Sequence, residues 1–401
     1  MIVGIIGKPN TGKTTFFNAV TLSHALVASY PFTTINPNVG IAYLRVNCVC
    51  KELGVKDNPV NSICINGTRL IPVELVDVAG LVPDAWKGRG LGNKFLDDLR
   101  KADALIHVVD ASGGTDEEGR IIALGTHDPL FDVEFVEKEF DLWLLQIVKK
   151  DWQRTSRTAE AGTQKISSML ADRLSGLSIT EKQIIEAMDA LKLVRDKPTT
   201  WTEEDLFNLC RNIRRISKPM IIAANKADLS TSPKNIERLK AKNYLGIPCV
   251  AEAELLLRRA VEKGLVEYIP GDSSFHILNP EKLTPEQKKA FDLVNDKIFK
   301  VWSNTGVQQI INSAYFDLLK SIVVYPVEDE KKFLDKVGHV LPDAYVMKGG
   351  STARDLAYKI HTDLGEGFLY AIDAKRGVRL SADYILKDKD VIKIVSTAKR
   401  G

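Results

Sequence analysis

Gly7-Lys8-Pro9-Asn10-Thr11-Gly12-Lys13-Thr14 decides how this chain is read. It fits G-x-x-x-x-G-K-[ST], a loop that holds phosphate on its backbone N–H groups. The apolar run Ile2-Val3-Gly4-Ile5-Ile6 before it reads as a buried strand, and Thr15-Phe16-Phe17-Asn18-Ala19-Val20 after it reads as the start of a helix. A glycine-rich turn between strand and helix aims several N–H groups at one point, where the helix N-terminus adds partial positive charge. The expected phosphate-binding residues are Asn10, Thr11, Gly12, Lys13, Thr14 and Thr15. Lys13 is placed to reach the β- and γ-phosphates, and the Thr14 hydroxyl to bind Mg²⁺.

Three further elements follow in the order such a loop requires. Asp77-Val78-Ala79-Gly80 closes a strand-like run. Asp77 is expected to hold a Mg²⁺-bound water, and the Gly80 N–H to contact the γ-phosphate. Tyr30-Pro31-Phe32-Thr33-Thr34 lies between the first helix and the second strand, and Thr34 is preferred over Thr33 to complete the Mg²⁺ shell. Lys13, Thr34 and Gly80 are thus the residues expected to act on the reacting phosphate. The third element is Asn225-Lys226-Ala227-Asp228, after the buried run 219–224. The Asp228 carboxylate can accept from both N1–H and the exocyclic amine of guanine, a pair that adenine does not offer. The Lys226 stem can cover the base. Ala251, in Pro248-Cys249-Val250-Ala251, is the candidate backbone donor to guanine O6.

The bulk numbers bound the rest. At 401 residues, two or three domains are expected. A chain 44% hydrophobic and 27% charged, with net charge +3, is ordinary for a globular protein. That charge argues neither for nor against nucleic acid. No apolar run reaches about 18 residues, so no membrane helix is expected. Five cysteines suit a reducing cytoplasm better than a disulfide framework.

The fold class expected is α/β: a doubly wound, mostly parallel sheet, with an inserted helical hairpin and a small C-terminal α+β domain of the β-grasp kind. Residues 1–127 and 202–280 would form the nucleotide-binding domain, 128–201 the helical insert, 281–320 a helical connector and 321–397 the terminal domain. Phe131, Phe135, Val136, Phe140, Trp143 and Leu144 recur at helical spacing, and Thr180 with Gln183 is a capping box for a later helix. Lys149, Lys150, Arg154 and Arg157 make either a solvated helix face or a phosphate-backbone contact.

Together, the loop at 7–14, Phe17-Asn18-Ala19, Tyr30 to Thr34 and Asp77 to Leu81 resemble the Obg-related GTPases. Gly88-Arg89-Gly90-Leu91-Gly92-Asn93-Lys94-Phe95 narrows the resemblance to the YchF-like branch. The terminal segment resembles a TGS domain through Gly350-Ser351-Thr352-Ala353-Arg354-Asp355, Ile360-His361 and Asp388-Lys389-Asp390. The resemblance implies a cytoplasmic nucleoside triphosphatase that works with ribosomes or RNA, carrying a helical insert and a TGS domain; contact through those two parts, and a monomeric state, are expected. Many YchF-like proteins lack N-K-x-D and prefer ATP. This chain keeps Asn225, Lys226 and Asp228, so GTP and GDP with Mg²⁺ are the ligands expected.

Leu81 stands where Ras-like GTPases carry the glutamine that orients water, so hydrolysis is expected to be slow without a partner. Asn10, in a G-x-P-N-x-G-K-[ST] loop, is a candidate K⁺ ligand beside the phosphates. Cys48, Cys50 and Cys64, with Asp57 or water as a fourth ligand, fit either a Zn²⁺ site or buried or merely free thiols. His107, Trp143, Trp152 and Trp302 read as packing residues. In the TGS-like segment, Lys348, Arg354, Lys375, Arg376 and Arg379 alternate with Tyr345, Phe368 and Tyr370, which suits an RNA or ribosomal surface. The rivals are an ATPase of the same fold and a non-catalytic RNA- or ribosome-binding adaptor.

Overall fold

The computed structural model describes residues 1–21, 38–78 and 100–397. Strands β1 (Ile2–Ile6), β2 (Val39–Asn47), β3 (Ile63–Ile65), β4 (Thr68–Asp77), β5 (Ala104–Asp110), β6 (Met220–Asn225) and β7 (Gly246–Pro248) form one sheet. Its order is β2-β4-β1-β5-β6-β7, with β3 folded back on β4 as a hairpin. β4, β1, β5, β6 and β7 run parallel, and β2 and β3 run antiparallel to β4. Parallel neighbours need crossovers, so helices cover both faces and the strands are apolar on both sides.

Alternation along each strand sorts the side chains. Ala104, Ile106 and Val108 of β5 join one core with Val3, Ile5, Ile71, Val73 and Leu75. Leu105 and Val109 point the other way, into two separate cores. The first face is covered by α1 (Lys13–Thr21), through Phe16 and Val20. The opposite face is covered by α3 (Pro129–Lys149) and α7 (Glu203–Ser217), through Val136, Phe140, Leu209 and Ile213. Between them in sequence lie α4 (Trp152–Glu160), α5 (Ile166–Leu174) and α6 (Glu181–Ala190). The two arms of the expected hairpin are therefore four helices, because Lys150–Asp151 and 161–165 interrupt the helical hydrogen bonding. Asp151 sits at φ 54°, which helical backbone does not tolerate.

Buried charge locks the insert to the sheet-covering helix. Arg214 of α7, 2% exposed, donates from Nε to Asp141 at 2.6 Å and from Nη1 to Glu137 at 3.0 Å. Arg173 donates to the Val148 and Lys150 carbonyls, capping the end of α3. α6 opens on the capping box Thr180–Gln183, and α7 on Thr202–Asp205.

The segment expected as a connector does more than connect. After α8 (Ser232–Ala241), α9 (Ala251–Glu262) and the small hairpin β8 (Val266–Glu267) and β9 (His276–Ile277), α10 (Pro285–Val294) runs through a π turn into α11 (Lys300–Trp302). α12 (Val307–Ser313) then lies on the same face as α1, burying Val307, Ile310 and Ile311. Asn312 exchanges bonds with the Arg45 backbone in both directions, at 3.1 and 2.8 Å, and Gln308 donates to the Tyr43 carbonyl.

The terminal domain is a five-stranded sheet, β11-β10-β14-β12-β13, built from β10 (Ser321–Val327), β11 (Tyr345–Lys348), β12 (Phe368–Asp373), β13 (Val378–Leu380) and β14 (Val391–Ser396). Helix α13 (Ala353–Ile360) packs on it through Leu356 and Ala357. Val323, Tyr325 and Val391 on its other face enter the core of the first sheet, so the two sheets share one apolar layer. Among the described residues no helix is long and apolar enough to cross a membrane.

Candidate functional site

The C-terminal ends of β1, β4, β5 and β6 lie side by side, with Ile5 in register with Asp77, Ile6 with His107, and Asp110 with Asn225. Ligands of open parallel sheets bind at this edge, beyond the carboxyl ends of the strands. The loop after β1 turns sharply there. Gly12 has φ 90°, and a Cβ on it would lie 2.2 Å from Asn225 Nδ2. Asn10 also takes a left-handed conformation, φ 61°, which asparagine accepts more readily than most residues.

Asn225 joins three loops. Its Nδ2 donates to the Thr11 carbonyl at 2.8 Å, and its Oδ1 accepts from the Ala251 N–H at 3.0 Å. Lys226 ties the phosphate loop to the end of β5, donating to the Asn10 carbonyl at 2.9 Å and to Asp110 at 2.8 Å. Asp228 is partly exposed and has no hydrogen bond to protein among the described residues, which leaves its carboxylate open to a ligand. Lys13 and Asp77 form an ion pair at the mouth of the loop. Thr14 is exposed on the first turn of α1, beside Lys13, and Thr15 is partly buried. Thr34, Gly80, Leu81, Gly88, Gly90 and Gly92 lie outside the described residues.

The Ala251 N–H, the candidate donor to guanine O6, is engaged by Asn225 here. Ala251 is the first residue of α9, so its N–H has no partner within the helix, and the buried Asn225 amide supplies one. Cys249 also points its thiol at Asn225 Oδ1, at 3.8 Å.

Sequence reasoning missed the buried polar layer beneath the phosphate loop. Lys8, 5% exposed, donates to the Thr115 carbonyl at 3.0 Å and to Asp132 at 2.8 Å. His127 meets the same carboxylate at 2.8 Å. Burial raises the Asp132 pKa, against the lowering effect of Lys8 and His127. Asp110, 1% exposed, accepts from Ser112, Thr115 and Lys226. Asn10 Nδ2 donates to the Gly119 carbonyl, so the 111–127 loop braces the phosphate loop from the side. His107 is fully buried, and burial, then Lys8, pushes its pKa down to about 3. The only sequence signal for this layer was an aspartate at the end of a buried strand.

A second brace comes from 302–306. Trp302, read as a packing residue, also donates from Nε1 to the Ala227 carbonyl at 3.2 Å, and Val250 N–H donates to the Thr305 carbonyl at 2.9 Å. Below them Glu254, 0% exposed, accepts from Arg258, Tyr268 and Thr305. The loops that carry Asp228 and Ala251 are therefore held from behind by a segment more than 50 residues downstream of Ala251.

Three family models match this chain. Residues 2–134 match the model described as 50S ribosome-binding GTPase. Residues 223–329 match Obg-like GTPase YGR210-like, G4 motif-containing domain, and residues 337–396 match the TGS domain. A GTP-binding protein of Methanocaldococcus jannaschii is 56% identical over 400 residues, covering 99% of this chain and 100% of that one. The chain belongs to the YchF/Obg-like GTP-binding proteins. A member from Mycoplasma pneumoniae, named ribosome-binding ATPase YchF, is 33% identical over 91% of this chain and 87% of its own length. The crystal structure of a GTP-binding protein from Pyrococcus horikoshii OT3 has the same fold, with TM-score 0.77 and 43% identity, over 99% of this chain and 100% of that one.

Proposed function

We propose that this chain is a Mg²⁺-dependent GTPase switch that reports its nucleotide state to a ribosomal or RNA surface. The observation that carries the reading is Asn225, which ties the phosphate loop to the loops flanking a base site, next to an Asp228 carboxylate with no partner among the described residues. In this reading Asp228 accepts from guanine N1–H and N2, and the Lys226 stem covers the base. Asn10, Thr11, Gly12, Lys13, Thr14 and Thr15 cradle the phosphates. Lys13 turns from Asp77 to the β- and γ-phosphates.

Thr14 and Asp77 offer a hydroxyl and a carboxylate oxygen beside Lys13, a donor set that suits Mg²⁺, with Thr34 as the further candidate. The ion supplies charge neutralisation on the phosphates. Position 81 carries leucine in place of a water-orienting glutamine, so slow turnover without a partner is the expected behaviour.

Exposed cations support a polyanionic partner. Lys150, Arg154 and Arg157 lie exposed on the insert, whereas Lys149 pairs with Glu203. On the terminal domain Arg379 stacks on Tyr370 at 3.7 Å and Arg354 lies over Phe368 at 5.8 Å. Lys375 and Arg376 are paired with Glu52 and Asp373, which narrows that patch to Lys348, Arg354 and Arg379. Co-sedimentation with ribosomes should depend on whether GDP or a non-hydrolysable GTP analogue is present. In this reading the protein acts in the cytoplasm, as a monomer.

The Ala251 hydrogen bond to Asn225 favours a second reading, an ATPase, because it removes one guanine-specific donor. Titration with fluorescent GTP and ATP decides between them. A GTP site binds GTP more tightly, and Asp228→Ala weakens GTP by about tenfold or more while sparing ATP. Equal affinities, unchanged by Asp228→Ala, would overturn the GTP reading.

A further inference from the structure

Away from the nucleotide site, Cys48, Cys50, Cys64 and Asp57 converge from three short elements. Cys48 caps α2 (Val49–Leu53), and Cys50 lies in its first turn. Gly54, at φ 65°, ends the helix and returns the chain to Asp57. Cys64 sits in β3, in register with Arg69 of β4. Cys48 N–H donates to the Gly67 carbonyl, holding the helix to the tip of the β3–β4 hairpin.

The four ligand atoms lie within 4.8 Å of one another. Cys50 Sγ and Cys64 Sγ are 3.9 Å apart, and Cys48 Sγ is 3.1 Å from Asp57 Oδ2. A zinc tetrahedron with Zn–S near 2.3 Å has sulfur–sulfur edges of about 3.8 Å and sulfur–oxygen edges of about 3.5 Å. A disulfide needs its sulfurs at about 2.05 Å. Cys48, Cys50 and the Asp57 side chain are all buried.

Charge supports the same assignment. Three thiolates and a carboxylate exceed a divalent cation by two negative charges. Arg69, 0% exposed, donates to Asp57 Oδ2 at 2.8 Å and offsets one of them. It also donates to Ser62 and to the Leu341 carbonyl and lies over the Tyr325 ring. A hydrogen bond from a fixed cation to a ligating carboxylate is the kind of outer contact that orients metal ligands.

We propose that Cys48, Cys50, Cys64 and Asp57 form a structural zinc site that stiffens the seat of the terminal domain. The loop that the metal would tie down is the one on which that domain rests. Asn58 and Val340 exchange hydrogen bonds, Val60 N–H donates to the Pro342 carbonyl, and Asn61 bonds Ala344 in both directions. Zinc here sets the rigidity of the joint between the nucleotide-binding domain and the TGS domain.

The test uses the full chain without a histidine tag. Elemental analysis should find close to one zinc per chain after gel filtration. Cobalt(II) exchanged into the site should give the visible bands of tetrahedral thiolate coordination. Cys50→Ser and Cys64→Ser should lose the metal, Asp57→Ala should lose it faster to a chelator, and Cys210→Ser, in α7, should keep it. Chelation should speed hydrogen exchange in 57–62 and 340–344 together. Wild-type protein that takes up neither zinc nor cobalt overturns the proposal, whether its thiols are free or Cys50 and Cys64 are joined by a disulfide. Full metal content in Cys50→Ser and Cys64→Ser overturns it equally, and the wild-type measurement stands even where a variant fails to fold.

Discussion

Asn225→Ala tests whether one buried amide assembles the nucleotide site. The substitution removes the bond from Nδ2 to the Thr11 carbonyl at 2.8 Å and the bond from Ala251 N–H to Oδ1 at 3.0 Å. The thiol contact from Cys249, at 3.8 Å, is weak and adds little. Thr11 and Ala251 are each 1% exposed, so water cannot readily replace the lost partner. A buried polar group left without a partner costs about 1–3 kcal/mol, so the two together cost about 2–6 kcal/mol. The loss falls on opening of the loops at one sheet edge, not on the whole chain, so local hydrogen exchange is the proper assay. At 1.4 kcal/mol per tenfold, even the lower figure makes peptides spanning 248–254 exchange about 30-fold faster. Affinity for a fluorescent GDP should fall by a similar factor. Asn225→Asp sharpens the test, because it keeps an acceptor for Ala251 but sets an oxygen against the Thr11 carbonyl. Protection at 248–254 should then survive while GDP affinity falls. If Asn225→Ala leaves both exchange and GDP affinity within about threefold of wild type, the amide is not the clamp argued here.

Other outcomes follow from single contacts. Gly12→Ala forces a side chain into a left-handed backbone, φ 90°, and onto Asn225 at 2.2 Å. Nucleotide affinity measured by calorimetry should fall at least about tenfold, while far-ultraviolet circular dichroism stays unchanged. His107, with its pKa held near 3, stays neutral in the folded protein while the unfolded chain protonates near 6.5. Stability is thus lost as pH falls below about 6.5, by roughly 2 kcal/mol between pH 7 and pH 5, and urea titrations of His107→Gln should lack that part of the slope. Asn10 commits only its Nδ2 to Gly119, leaving Oδ1 for a cation. Phosphate release should therefore be faster in K⁺ than in Na⁺, and equal turnover removes Asn10 as a K⁺ ligand.

Much was legible in the sequence because the signals were local. The apolar run at Ile2–Ile6, the glycines of the loop and the helix after it lie within 20 residues of one another. Capping boxes at Thr180, Thr202, Thr284 and Thr352 set helix starts by contacts three residues apart. Asn225-Lys226-Ala227-Asp228 named a base site through the chemistry of its own side chains. By contrast, α12 reads in sequence as one more amphipathic helix. Only packing shows that Val307, Ile310 and Ile311 cover the same sheet face as α1.

The sequence by itself determined the phosphate loop, the strand and helix on either side of it and the candidate purine contacts, since each depends on residues close together in the chain. Tertiary structure alone decided that Asn225 takes the Ala251 N–H, that Lys8, Asp132 and His127 form a buried layer, and that Trp302 backs the base loop. It also gathered three cysteines and an aspartate, which the sequence left as either ligands or free thiols, into a space the size of a metal tetrahedron. The physical reason is the same in each case. A buried polar group must find a partner, and which partner is within reach depends on where distant segments fold, not on the spacing of residues along the chain.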